Sequence, residues 1–177
     1  MDGKLYKVLF LCTGNSARSI MAEALLNHFG RGKFKAYSAG SHPAGSVHPL
    51  TLKELRKSGL SAEGMRSKSW SEFDQPDAAE MDFIITVCDK AAGETCPIWP
   101  GRPLTAHWGF EDPVACEGDD EAKRLVFKTV FRHISNRVQL LANLPIEKLD
   151  RLKLQSEVRR IGTLGKMNTA ELSEEEA

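Results

Sequence analysis

The residues best suited to chemistry are Cys12 and Arg18, which five residues separate. Cys12 ends an apolar, strand-like run, and the pattern turns helical at Arg18. Backbone N–H groups at the start of a helix favour a bound anion. The planar guanidinium of Arg18 can bond two oxygens of a tetrahedral oxyanion. The same positive field predicts that Cys12 ionises below the usual thiol pKa of about 8.5 and is nucleophilic at neutral pH.

The alternative interpretation is a small buried cysteine at a strand end, with a surface arginine nearby. Gly14 permits a tight turn, Ser16 and Ser19 supply hydroxyls, and a helix follows, so the context favours an oxyanion cradle. The predicted oxyanion-binding residues are Thr13, Gly14, Asn15, Ser16, Ala17, Arg18 and Ser19.

The stretch Cys12–Ser19, followed by Met21–Glu23, resembles the phosphate loop of the low-molecular-weight protein tyrosine phosphatase superfamily, and most of all its arsenate reductases. The likeness extends over residues 5–144. Three further stretches match in the same order: 37–40, 87–97 and 107–113. The resemblance implies reduction of arsenate to arsenite, for arsenic detoxification. The alternative is a low-molecular-weight protein tyrosine phosphatase that hydrolyses phosphotyrosine.

Asp112 precedes Pro113, and a proline keeps the residue before it extended, which can aim a carboxyl group at a site. An aspartate that only forms a turn is the alternative. The resemblance implies that Asp112 is a general acid that protonates a leaving oxygen. A module that only binds a phosphorylated ligand or senses redox state needs no such acid. Asp112 therefore favours an enzyme.

Cys88 and Cys96 flank a segment with small residues, and they are either idle thiols or redox partners of Cys12. The resemblance implies a relay in which Cys88 attacks Cys12 and releases arsenite, and Cys96 then attacks Cys88. We expect no tightly bound cofactor. The implied electron donor is an external thiol reductant, either thioredoxin or glutathione with glutaredoxin. The segment 114–118, after the Asp-Pro pair, lacks the aromatic residues with which phosphatases of this superfamily grip phosphotyrosine, which favours the reductase.

Some members of the superfamily hold potassium beside the cradle with Asn, Glu, Ser and Asp oxygens. Asn15, Glu23 and Ser38 match the first three, which makes them weak potassium candidates. The fourth position, near Ser69, is not acidic, and Lys68 lies close by. A lysine could replace the charge of the ion, and we expect no metal.

The 177 residues include 24 basic and 24 acidic ones, and this balance argues against nucleic acid as a partner. No apolar run is long enough for a membrane span, and the N-terminus lacks a secretory pattern. We therefore expect a cytoplasmic enzyme without membrane partners. Four cysteines in a reducing compartment are more typical of redox or catalytic roles than of structural disulfides.

The elements that must position these residues alternate between strands and helices. Predicted strands cover 5–11, 34–38, 82–87 and 104–107; predicted helices cover 19–29, 48–58, 70–73 and 119–141, and 88–103 is predicted to be an irregular loop. This order predicts a single α/β domain, with a parallel sheet of about four strands and helices on both faces. Cys12 and Cys88 then lie at the same sheet edge.

The pattern changes after Pro145. We expect a catalytic domain over residues 1–144 and a C-terminal extension over 145–177. The extension has alternating apolar and basic residues that fit an amphipathic helix. This helix could dock on the domain or on a second subunit. The alternative is a short solvated helix with no function. A disordered acidic tail follows at 168–177.

Overall fold

A computed structural model of the chain describes residues 3–93 and 99–164. Its centre is a four-stranded sheet in which every neighbouring pair of strands is parallel, in the order β2-β1-β3-β4. The strands are β1 (Tyr6–Cys12), β2 (Phe34–Gly40), β3 (Phe83–Thr86) and β4 (Leu104–His107). The predicted α/β fold with a parallel sheet of about four strands is confirmed. Because β1 and β3 are neighbours, Cys12 and Cys88 leave the sheet at the same edge.

Within residues 3–93 and 99–164, five α-helices connect and follow the strands. They are α1 (Arg18–Phe29), α2 (Pro49–Lys57), α3 (Asp89–Gly93), α4 (Asp120–Ala142) and α5 (Arg151–Ile161). Single turns of 3₁₀-helix lie at Trp70–Glu72 and Ile146–Lys148. Proline suits the first turn of α2, and Asp119 caps α4 by accepting a hydrogen bond from the N–H of Ala122.

The core occupies both faces of the sheet, because successive strand residues point to opposite sides. Val8 and Phe10 of β1 pack into the larger cluster, together with buried residues of α1, α4 and α5. Leu9 and Leu11 face the other way, and the side chains that cover them include Trp70, from the 3₁₀ turn. The strand β1 is thus buried on both faces, as its apolar sequence predicts.

The segment 88–103 differs from its prediction as an irregular loop. Residues Asp89–Gly93 form α3, with an acidic residue in the first turn and two alanines that favour a helix. The glycines and prolines that suggested a loop lie at or after the end of this helix. Cys96 lies outside the described residues.

The helix α5 of the predicted C-terminal extension packs against the same core. Trp108 is fully buried and its Nε1–H donates to the carbonyl of Val158 at 2.9 Å. Arg159 Nε donates to the carbonyl of Thr105 in the edge strand β4 at 3.2 Å. The division at residue 144 stays a prediction, and the acidic tail lies outside the described residues. Within the described ranges, no helix has the length and apolar character needed to span a membrane.

Candidate active site

Four carbonyl groups, those of Cys12, Thr13, Gly14 and Ser16, hold the backbone of the loop by accepting hydrogen bonds from the segment that follows β2. The amides of residues 41–48 supply the donors: Ser41 to Cys12 at 3.3 Å, His42 to Thr13 at 3.0 Å, Ala44 to Gly14 at 2.9 Å, and His48 to Ser16 at 3.0 Å. A trans peptide places its N–H opposite its carbonyl. With the carbonyls fixed outward, the N–H groups of the loop are left to face Cys12 and an oxyanion.

Two hydroxyl groups strengthen this anchoring. Thr51 is fully buried in α2, and its Oγ1 donates to the carbonyl of Ser16 at 2.9 Å. Ser67 Oγ donates to the carbonyl of Gly14 at 3.1 Å. Neither contact can be predicted from the local sequence, because the partners are 35 and 53 residues apart along the chain.

Asn15 holds the turn of the loop from inside. It has a φ of 47°, in the left-handed region that asparagine tolerates better than most residues, and it is fully buried. Its Oδ1 accepts from the amide of Lys68 at 2.9 Å, and its Nδ2 donates to Ser19 Oγ at 2.8 Å. The side chains of Asn15 and Ser19 thus hold the turn of the loop, and oxyanion binding by these two residues stays a prediction. Gly14, where the sequence suggests the tight turn, does not have a positive φ.

Gly40, at the end of β2, is the glycine that the loop requires. A Cβ at this position would overlap the carbonyl oxygen of Thr13 and lie 3.0 Å from the Cβ of Asn15. Both are parts of the phosphate loop that cannot move without breaking the bonds described above.

Arg18 and Asp112 come together although they are 94 positions apart in the sequence. Arg18 is the first residue of α1, and its Nη1 donates to the carbonyl of Phe110 at 3.0 Å. Its Nη2 lies 3.6 Å from Oδ2 of Asp112. The other carboxylate oxygen of Asp112 accepts from the amide of Val114 at 3.0 Å, as in the turn that the alternative interpretation expects. The carboxyl group nevertheless faces the arginine of the cradle.

Cys12 and Cys88 are both buried and both free thiols, with exposed fractions of 5% and 2%. The interaction of the two sulfurs shifts the pKa of each, so they lie close together. Cys88 Sγ accepts from the amide of Ala91 in α3 at 3.4 Å, and Oγ1 of Thr13 lies 3.6 Å from it. The structure therefore places a second sulfur beside the floor of the cradle.

The pKa values of the two thiols are shifted in opposite directions. The hydrogen bond with Cys12 lowers the pKa of Cys88 to about 5, against the opposing effect of burial. The same bond, followed by burial, raises the pKa of Cys12, although the charge of Arg18 acts to lower it. That Cys12 is the thiolate at neutral pH stays a prediction, because the two sulfurs titrate as one pair. The pair loses one proton easily, and Cys12 becomes the thiolate when it passes its own proton to Cys88.

Lys68 takes part in the cluster of potassium candidates. Its side chain is 8% exposed, and its Nζ lies 3.4 Å from Ser38 Oγ and donates to the carbonyl of Arg66 at 3.0 Å. Ser38 Oγ in turn donates to Glu23 Oε2 at 3.1 Å. Burial raises the pKa of Glu23, and the charge of Lys68 opposes that shift. An ammonium group of the chain itself thus lies beside the oxygens that matched a potassium site.

The remaining thiol, Cys116, is half-buried in the loop after Asp112, and its Sγ–H donates to the neighbouring carbonyl of Glu117 at 3.4 Å. In the described residues, no group of three or more His, Cys, Asp or Glu side chains is arranged to hold a metal ion.

Comparison with known proteins fits this arrangement. The profile of the low molecular weight phosphotyrosine protein phosphatase family matches residues 7–156. This chain belongs to that family. A relative within it, an arsenate reductase from Halalkalibacterium halodurans, is 36% identical over 135 residues, which cover 76% of this chain and 94% of the relative.

Two solved structures of family members extend the likeness. An arsenate reductase from Archaeoglobus fulgidus is 31% identical with a TM-score of 0.61, over 77% of this chain and 99% of that one. A thioredoxin-dependent arsenate reductase from Corynebacterium glutamicum is 26% identical with a TM-score of 0.57, over 80% of this chain and 62% of that one.

Gly40→Ala tests the anchoring of the phosphate loop. The added methyl group overlaps backbone, so we expect the free energy of unfolding to fall by about 1–3 kcal/mol and phosphate binding to weaken sharply. Urea denaturation and calorimetry with inorganic phosphate measure the two effects. Gly14→Ala is the matched control for stability, because its Cβ would meet only Ser16 Oγ, at 3.8 Å. Equal losses of stability in the two variants would contradict this description of the loop.

The lowered pKa of Cys88 predicts that one thiolate is still present at mildly acidic pH. In a Cys96→Ser, Cys116→Ser background, thiolate ultraviolet absorbance should report one thiolate at neutral pH. It should disappear as the pH falls through about 5, the pKa of Cys88. Adding Cys12→Ala removes the hydrogen-bond donor and should raise this midpoint, whereas Cys12→Ser keeps a hydroxyl donor and should raise it less. A midpoint that is the same in all three proteins would refute the coupling.

Proposed function

We propose that this protein reduces arsenate to arsenite and serves in arsenic detoxification, with Cys12 as the nucleophile. The observation that carries the proposal is the second buried thiol, Cys88, which leaves the same sheet edge as Cys12 and whose sulfur lies 3.6 Å from Oγ1 of Thr13 in the oxyanion cradle. The relative and the two structures compared above, all arsenate reductases, support it. An oxyanion cradle alone suits any tetrahedral oxyanion. A second thiol at the floor of the cradle suits an oxyanion whose central atom can accept electrons, as arsenic can.

In the first step, the cradle binds arsenate through its N–H groups and through Arg18. Cys12 passes its proton to Cys88, and its thiolate attacks arsenic. An arsenic–sulfur bond forms and one arsenic–oxygen bond breaks. The departing oxygen takes a proton from Asp112 and leaves as water. Arsenic is still pentavalent after this step, because only a substitution has taken place.

In the second step, Cys88 attacks Sγ of Cys12. A disulfide forms, and the electron pair of the arsenic–sulfur bond goes to arsenic, which becomes trivalent. Cys88 transfers its proton to an oxygen of the departing arsenite. Two thiols have lost two electrons and arsenic has gained them. Since both sulfurs are buried, the disulfide is shielded from an external reductant.

We assign the third step to Cys96. Its attack on Cys88 would free Cys12 and leave a Cys88–Cys96 disulfide for an external thiol to reduce. We favour thioredoxin over glutathione with glutaredoxin as the donor, because the structurally similar Corynebacterium glutamicum protein is thioredoxin-dependent. A thiol donor of either kind is kept reduced in the cytoplasm, where we place the protein.

The same cradle and acid could hydrolyse a phosphate ester, which is the alternative function. Ester hydrolysis needs Cys12, Arg18 and Asp112 but no second thiol. The segment 114–118 also offers no aromatic ring to hold phosphotyrosine. The buried position of Cys88 is thus explained by the reductase and left unexplained by the phosphatase.

Cys88→Ser separates the two activities. Arsenate reduction, followed as NADPH consumption with thioredoxin and thioredoxin reductase, should be lost because no sulfur can attack Cys12. Slow hydrolysis of para-nitrophenyl phosphate should persist because the cradle is intact. Cys12→Ser should lose both activities, since a hydroxyl group is not ionised at neutral pH.

Cys116→Ser is the matched control and should keep both activities. A parallel assay with glutathione, glutaredoxin and glutathione reductase identifies the donor, and we expect faster turnover with the thioredoxin system. Arsenate reduction that survives Cys88→Ser would contradict the proposed attack on Cys12.

A further inference from the structure

Arg137 is a buried charge on the apolar face of α4. Its side chain is 9% exposed. The other buried residues of this helix are apolar: Phe127, Val130, Ile134, Val138 and Leu141. Among residues 3–93 and 99–164, no carboxylate lies within ion-pair distance of Arg137. Burying an unpaired charge is costly, and a methionine or leucine would fill the space without that cost. The position therefore calls for an explanation beyond packing.

Both contacts of the Arg137 guanidinium fall on the loop that carries the general acid. Nη1 donates to the carbonyl of Gly109 at 2.9 Å, and the central carbon lies 4.4 Å from the centre of the Phe110 ring. A planar guanidinium can donate in its plane and stack on an aromatic face at the same time, which an ammonium cannot reproduce. Arg137 thus fixes both the backbone and the side chain at this point of the loop.

The fixed segment is the one that holds Arg18. The carbonyl of Phe110 accepts from Arg18 Nη1, and Asp112 lies two residues further on, beside Arg18 Nη2. With Nη1 anchored, the edge formed by Nε and Nη2 is left for two oxygens of a bound oxyanion. A long arginine side chain has many rotamers, and this anchor reduces their number before a ligand arrives.

We propose that Arg137 is a positioning residue that acts through the Phe110 carbonyl to hold Arg18, and with it Asp112, in the geometry that the oxyanion needs. This inference rests on the proposed function for the identity of the oxyanion, arsenate. It requires only the cradle and the acid, and neither Cys88 nor a reductant. A role confined to stability would instead predict an effect on unfolding that is independent of Arg18.

A double-mutant cycle between Arg137→Met and Arg18→Ala tests the proposal. The measured quantity is kcat/KM for para-nitrophenyl phosphate hydrolysis, which is independent of arsenate reduction. With Arg18 present, we expect Arg137→Met to lower kcat/KM about tenfold or more, because a small displacement of a catalytic group is costly. In the Arg18→Ala background, the same substitution should lower it by less than about twofold, because the group through which it acts is gone.

Two further variants and one binding measurement keep the test decisive. Arg132→Met, at an exposed position of the same helix, should leave kcat/KM unchanged. Arg137→Lys keeps the charge and a donor for Gly109 but loses the stacked plane, so it should fold and retain part of the activity, and it replaces Arg137→Met if that variant does not fold. Calorimetry with inorganic phosphate, which needs no turnover, should show weaker binding in the Arg137 variants and unchanged binding in Arg132→Met.

Equal losses of kcat/KM in both Arg18 backgrounds would overturn the proposal, as would unchanged phosphate affinity in the Arg137 variants. A wild-type protein that hydrolyses the aryl phosphate but does not reduce arsenate would refute the proposed function and leave the role of Arg137 standing.

Discussion

The outward fixing of the phosphate-loop carbonyls is the constraint on which the rest of the site depends. The segment after β2 binds these carbonyls one after another, and it can do so because β2 pairs in parallel with β1 up to Gly40. The absence of a side chain at Gly40 lets the two backbones approach. The N–H groups are then directed at Cys12 without any cost of reorganisation when an oxyanion binds. The chemistry follows from this arrangement of backbone dipoles, to which Arg18 adds a full charge.

The order of the strands turns this cradle into a redox site. Since β3 lies beside β1, the sheet delivers Cys88 to the same edge as Cys12, and α3 holds its sulfur through the amide of Ala91. Two thiols that share a proton carry one negative charge at neutral pH. In the proposed reaction, Cys88 serves first as the base for Cys12 and then, as it passes that proton to an arsenic oxygen, as the nucleophile that attacks Cys12. The proposed reduction of arsenate thus differs from ester hydrolysis in using a second sulfur beside the same cradle.

Much of the fold and of the cradle could be predicted from the sequence because the signals are local. The apolar run before Cys12, the helix after it and the alternation of strands and helices suffice for the parallel sheet and its active edge. The helix α3 was missed because its alanines stand next to many loop-forming residues. Contacts such as those of Lys68 with Ser38, or of Arg137 with Phe110, leave no periodic signal, since residues distant in sequence meet only in the folded chain. The mutual effect of Cys12 and Cys88 on their pKa values leaves no such signal either, because the two cysteines lie far apart in the sequence.

The most direct test of the central claim, that Cys88 resolves the arsenic adduct on Cys12, is peptide mass spectrometry of the Cys96→Ser variant after one equivalent of arsenate. Without Cys96 the relay should stop after a single turnover. The account predicts one equivalent of arsenite and a dominant Cys12–Cys88 disulfide. Arsenite release without that disulfide, or with Cys12 joined instead to Cys116 or to added glutathione, would contradict it.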